Sequence, residues 1–195
     1  MLSAAVQLLR EGGTDALSVD SVIARAGTST GAFYARFGNR HGLLEALHER
    51  FLSDFRAQAD EVMRRARSAR SPHEVLQILI SGLLDHVRTH RDSSAFYVLI
   101  NAHDPAMRAQ GNAATQTITR ALNDLLSVHL PECAPHRIAQ VSDFTARTVM
   151  AFSLEIMLFD DHEVTGTALT PTALNHEVVT AVQAYLDVTT APSTT

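Results

Sequence analysis

Between Ser18 and Leu44 the chain reads SVDSVIARAGTSTGAFYARFGNRHGLL, two short amphipathic stretches separated by Gly27-Thr28-Ser29 and closed by Gly38-Asn39. No other segment narrows the possible folds so far. Val19, Val22, Ile23 and Ala26 recur at helical spacing. Ser18 is placed to cap that helix, and Asp20 in its first turn meets the helix dipole. Gly27 stops it, Ser29 is the next cap candidate, and a second helix is predicted through Phe37. Two helices joined by a short glycine-bearing turn form a helix-turn-helix, whose second helix can lie in the major groove of DNA.

The residue types along the second helix fit that use. Thr30, Gly31, Ala32, Tyr34 and Arg36 are small or hydrogen-bonding where bulky apolar groups would block approach to base edges. Phe33 and Phe37 fall on the opposite side, where they can pack on Leu9, Val22, Ile23 and Leu43. Ser29 and Thr30 offer hydroxyls, and the helix start offers free N–H groups, to a phosphate. Tyr34 has the reach for a phosphate oxygen, and Arg40 follows as a further anion partner. Arg36 suits either a phosphate or a bidentate guanine contact. A merely structural three-helix unit is the competing reading, but a buried helix has no need of Ser29-Thr30-Gly31 at one end and Tyr34 and Arg36 beyond it. The expected DNA-contacting set is Ser18, Ser29, Thr30, Gly31, Ala32, Tyr34, Arg36 and Arg40.

The rest of the chain is helical in pattern. Leu2, Ala5, Val6 and Leu9 form an apolar stripe ended by Gly12-Gly13. A long helix is predicted over 41–69, with Arg64, Arg65 and Arg67 at its carboxyl end complementing the dipole. Ser71-Pro72 opens the next, over 72–90. Further helices are predicted over 93–103, 104–129, 135–159 and 172–188, and 191–195 (APSTT) reads as a loose tail. No repeat or strand-like alternation appears. The expected fold is all-α, about nine helices, with a head at 1–45 and a larger helical domain at 46–190.

Composition excludes several classes. The 195 residues are 46% hydrophobic and 19% charged, a globular balance. No apolar run approaches the roughly 18 residues of a membrane span. MLSAAVQLLREGG lacks the charged and apolar regions of a secretory signal, so a cytoplasmic location is expected. Cys133 has no partner for a disulfide and no accompanying Cys/His spacing. All sixteen basic residues are arginine, which removes Schiff-base and P-loop lysine chemistry. The net charge of −5 is polarised: 1–70 is mildly basic and 71–195 acidic.

Residues 4–51 resemble the DNA-binding domain of the TetR family of bacterial repressors. The matching positions are Ala4-Ala5, Gly12 or Gly13, Ser18-Val19, Ile23-Ala24, Ala26-Gly27, Ser29, Gly31, Phe33-Tyr34, Phe37, Arg40 and Leu43-Leu44. The resemblance implies a dimeric regulator that binds a palindromic operator and releases it when a small molecule occupies the larger domain. The chain departs from the pattern in three respects. The family usually has several residues, often basic, ahead of the first helix. Thr28 stands where valine is common, and Ala35 where histidine or another polar residue is.

Residues 135–159 (PHRIAQVSDFTARTVMAFSLEIMLF) are apolar on nearly every face after Phe144, which calls for burial on two sides. Paired with the last helix, which carries Leu174, Val178, Val179, Val182, Tyr185 and Leu186, this predicts a homodimer through a four-helix bundle. Candidates to line an effector pocket are Leu79, Leu83, Phe96, Tyr97, Ile100, Met107, Met150, Phe152 and Met157, with Asn101 and His103 as polar orienters. The inventory suits a mainly apolar or aromatic small molecule; for each residue plain core packing is the alternative.

Metal and catalytic motifs are weak. His86 and His90 are four apart, with His103 as a possible third, but Arg88 and Arg91 crowd them and a solvated face is expected. Asp160-Asp161-His162-Glu163 lacks the EF-hand pattern and reads as a polar turn. None of four His-Glu pairs has the second histidine of a zincin, and no nucleophile elbow, Rossmann glycine pattern or P-loop occurs. Neither a metal nor a cofactor is expected, and catalysis is not. The competing class is an all-α carrier or enzyme without DNA binding, which would keep its ligand affinity when the first 50 residues are removed.

Overall fold

The computed structural model describes residues 1–159, 166–167 and 169–191. Its described elements are α1 (Leu2–Gly12), α2 (Val19–Ala26), α3 (Thr30–Phe37), α4 (Arg40–Ala66), α5 (Pro72–Thr89), α6 (Arg91–His103), α7 (Pro105–His129), α8 (Pro135–Leu158) and α9 (Pro171–Thr190). Among the described residues the fold is all-α, as the periodicity predicts. Helix starts follow capping chemistry closely. Ser71 Oγ accepts from the Glu74 amide at 3.1 Å and Thr170 Oγ1 from the Ala173 amide at 3.2 Å, each just ahead of a proline.

Ends deviate where side chains intervene. α4 stops at Ala66, short of the expected 69, because its last turn tightens: the Ser68 and Ala69 amides bond to the carbonyls of Arg65 and Ala66, and the Ser68 hydroxyl also donates to Arg65. α9 runs on to Thr190, whose hydroxyl donates to the Leu186 carbonyl. Of the expected tail only Ala191 is described, and its amide bonds to the Asp187 carbonyl.

The helices form two compact units, Met1–Arg56 with His90–Asn112, and Ala57–Thr89 with Ala113–Thr195. This grouping cuts across the expected 1–45 and 46–190 domains. α6, assigned by sequence to the larger domain, packs on α1 in the first unit. The first core gathers Ala5, Leu8, Leu9, Leu17, Val22, Phe33, Leu43, Leu47 and Phe96. Phe96 therefore serves the head's core, with Ile100 half-buried against it.

In the second unit α5, α8 and α9 pack on one another. Leu76, Leu79, Ile80 and Leu84 on α5, Val141 on α8, and Val178, Val182 and Leu186 on α9 are all buried. Ser142 and Thr145 are buried there without cost because their hydroxyls donate back to the Ile138 and Val141 carbonyls. Gly82 lets α5 lie close to α4, since a Cβ there would fall 2.7 Å from Val62 Cγ2. Among the described residues no helix is long and apolar enough to cross a membrane.

Candidate nucleic-acid interface

The geometry of the head is set by local hydrogen bonds at each helix end. Ser18 Oγ accepts from the Ser21 amide at 3.0 Å and fixes the start of α2. Gly27 takes the left-handed conformation, φ 58° and ψ 40°, which a side chain would disfavour. With it, the Gly27 and Thr28 amides close onto the Ala24 and Ile23 carbonyls. Two residues later Ser29 Oγ accepts from the Ala32 amide at 3.1 Å and opens α3. Ser29 Oγ thus commits a lone pair to capping and keeps its hydroxyl proton as what it could give a phosphate, whereas Ser18 Oγ is engaged a second time, by Ser21 Oγ at 2.7 Å.

α3 is anchored by Phe33, which is 0% exposed. Tyr34 meets its ring edge-on at 5.5 Å, and Phe37 tilts against it at 5.2 Å. The opposite surface of this helix is open: Thr30, Gly31, Ala32, Tyr34, Ala35 and Arg36 are all exposed within their unit. The Arg36 guanidinium lies 5.4 Å from the Phe37 ring centre, close enough for a cation–π contact. α4 then starts almost at once. Asn39 Oδ1 accepts from the Gly42 amide at 3.0 Å, a cap hidden from the sequence reading, which took Gly38-Asn39 only as a break. A Cβ on Gly42 would fall onto the Phe37 carbonyl oxygen, so glycine there allows α3 and α4 to meet.

Electrostatics separate free from engaged arginines. Arg25 makes a two-pronged bond to Glu11, at 2.8 and 2.6 Å, tying α2 to α1. That bond holds the Glu11 carboxyl below its ordinary range and raises Arg25. Arg50 and Arg56 stand near Asp54 and Glu49. Among the described residues Arg36 and Arg40 form no such ion pair and are exposed, leaving their donors available to an anion.

The expected effector-lining residues divide between the units. Leu79 and Leu83 are buried on α5, while on α8 Met150 is exposed and Phe152 and Met157 are half-buried. In the first unit Met107 is buried, and His103 is exposed with its Nδ1 donating to the Leu99 carbonyl at 2.8 Å. Tyr97 and Asn101 are brought together with two residues the sequence reading did not assign to a site, His48 and Phe51. His48 Nε2 donates to Asn101 Oδ1 at 3.0 Å, and the Tyr97 ring stacks on Phe51 at 4.2 Å and on His48 at 4.9 Å. Burial pushes the Tyr97 hydroxyl up, opposed by Asn101 and Arg56. His48 was missed because it sits beside the apolar stripe of α4, and only its cross-helix partner distinguishes it.

Among the described residues no group of three or more His, Cys, Asp or Glu side chains is arranged to hold a metal. Asp160 to Glu163 lie outside the described residues. In the second unit the Phe144 ring lies tilted against Tyr185 at 4.2 Å across α8 and α9, and Met150, Leu158 and Val188 are exposed on the same two helices.

Comparison with known proteins agrees with this geometry. Residues 1–47 match the family model for bacterial regulatory proteins of the tetR family. A curated relative, named an uncharacterized HTH-type transcriptional regulator YvdT of Bacillus subtilis (strain 168), is 29% identical over 92 residues, 47% of this chain; the match spans 46% of that protein's length. Two solved structures share the fold. A transcriptional regulator from Rhodococcus sp. Rha1 has a TM-score of 0.74 at 20% identity, over 98% of this chain and 97% of that one. The TetR family transcriptional regulator PfmR from Thermus thermophilus has a TM-score of 0.62 at 17% identity, over 97% and 96%. The amino-terminal 47 residues thus match the family model for bacterial regulatory proteins of the tetR family, and the helical fold as a whole is shared with solved regulators of that kind.

Proposed function

We propose that this chain is a transcriptional regulator that binds duplex DNA through α3, acts as a repressor at a palindromic operator, and is released by a small, mainly apolar or aromatic effector. The observation that carries the reading is the open surface from Thr30 to Arg36, built over a fully buried Phe33 and flanked by Arg36 and Arg40, which are exposed and form no ion pair among the described residues. Small side chains admit the groove floor, Tyr34 and Arg40 reach for phosphates, and Arg36 serves phosphate or guanine. A homodimer through α8 and α9 would present two such heads to half-sites on one duplex. Effector binding would act by favouring one placement of α4 over another.

The test is fluorescence anisotropy with the DNA upstream of the chain's own coding region. Binding should weaken steeply with salt, as phosphate contacts release counterions. Tyr34→Phe and Arg40→Ala should each weaken it further; unchanged affinity in both removes this contact assignment. A carrier without DNA binding would show no salt-dependent affinity and keep its ligand when 1–50 are deleted.

A further inference from the structure

α5 and α9 run antiparallel in the second unit, with a polar link at each end. At one end His73 Nε2 bonds to Asp187 Oδ1 at 2.8 Å, open to solvent. At the other, Arg88 Nη1 donates to Asp85 Oδ1 at 3.0 Å and to Asn175 Oδ1 at 2.8 Å, and Asn175 Nδ2 donates to the same Asp85 oxygen at 2.9 Å. This second link is closed off: the Arg88 side chain is 18% exposed and Asn175 is 8% exposed. The guanidinium is planar, so the two bonds at Nη1 fix where Nη2 points. Nη2 is buried and has no hydrogen-bond partner among the described residues. Asp85 answers little of the charge on that side, because its carboxylate is 61% exposed and shared with Asn175. A buried cationic donor without an acceptor is costly, and one that persists calls for an acceptor.

The register of the helices brings apolar surface to the same place. Arg137 Nη1 donates to the Ala191 carbonyl and Phe144 meets Tyr185, so α8 is antiparallel to α9 and its Ser153 stands roughly level with Asn175. The last turns of α8 therefore come to the Arg88 end of the unit, carrying Phe152, Ile156 and Met157, each half-buried. Glu155, the carboxylate of those turns, does not bond to Nη2.

We propose that Arg88 anchors the carboxylate of a small molecule with an apolar body, which lies along the end of α8 at Phe152, Ile156 and Met157. A carboxylate accepts a short charge-assisted bond from Nη2 and neutralises the buried charge, whereas a neutral carbonyl or hydroxyl does only the first. A dianion is disfavoured, since Asp85 already holds the same guanidinium. The site thus names the chemical class of the effector, an apolar monocarboxylate. That role rests on the regulator reading above; the binding itself does not.

Isothermal titration of the full chain with octanoate and benzoate, against octanamide and benzamide, tests it. At least one carboxylate should bind, about ten-fold or more tighter than its amide, and Arg88→Gln should weaken it about ten- to hundred-fold. Asp85→Asn gives the opposite sign at an exposed position. It keeps the oxygen that holds Asn175, removes the competing anion, and should tighten carboxylate binding about two- to five-fold without changing the amides. Failure of both carboxylates to bind, equal binding of the amide, or carboxylate binding that Asp85→Asn leaves unchanged each overturns the site. Anisotropy with the upstream duplex separates the two readings. Carboxylate binding by a chain that takes no DNA supports the site and overturns the regulator reading alone. DNA binding by a chain that takes neither carboxylate overturns the site alone. Where both bind, the tighter carboxylate should weaken DNA binding, and unchanged DNA affinity overturns the effector class.

Discussion

Phe33 and its neighbours show how one turn of helix serves two purposes. Phe33 is fully buried, and removing its ring should cost about 3–5 kcal/mol through lost transfer energy and the cavity left behind. Urea unfolding of Phe33→Ala checks that figure. Tyr34, Arg36 and Arg40 are exposed, so Arg40→Ala should change stability by less than about 0.5 kcal/mol while lowering the salt slope of DNA binding by about one unit. A stability loss matching that of Phe33→Ala would mean Arg40 is structural. The Glu11–Arg25 pair adds an acid-sensitive contribution. Glu11 is held below its ordinary range, so its stabilisation is present above that range and lost as pH falls through the folded value. In Glu11→Gln the melting temperature should fall less on acidification below about pH 5 than it does in the native chain.

At the scale of elements, the caps decide where the head's helices begin and the glycines decide how closely they approach. Ser29→Ala removes the acceptor for the Ala32 amide and should destabilise the chain by about 1 kcal/mol, measured by thermal melting. Gly42→Ala is different in kind. Its methyl has no room beside the Phe37 carbonyl, so the backbone joining α3 to α4 must move. DNA affinity should fall by more than the accompanying loss of stability explains, and a variant with native affinity would show that this junction tolerates displacement. The caps were legible in the sequence because an N-cap and its amide lie within three residues of each other. Asn39 was not read as one, since Gly38-Asn39 has the composition of any helix break.

For the molecule as a whole, function as proposed requires two copies. Phe144 and Tyr185 pack with tilted rings across α8 and α9, with Met150, Leu158 and Val188 exposed on those helices. A charge placed in such a face would be buried on association without a partner. Phe144→Glu should therefore shift sedimentation from dimer to monomer and abolish high-affinity operator binding, leaving the melting of the isolated chain little changed. A variant that remains dimeric would move the interface elsewhere.

Helix positions, the turn geometry of the head and the segregation of Phe33 from Tyr34 and Arg36 were all written in the sequence. Each depends on periodicity or on hydrogen bonds spanning three or four residues. Three other features belong to the tertiary structure alone: α6 packs on α1, Phe96 completes the head's core, and His48 finds Asn101 fifty-three positions away. A helix's apolar stripe states that it must be buried but not against what. That choice is made by contacts between distant segments, whose free energy depends on shape and on pairing of buried polar groups and leaves no local pattern to read.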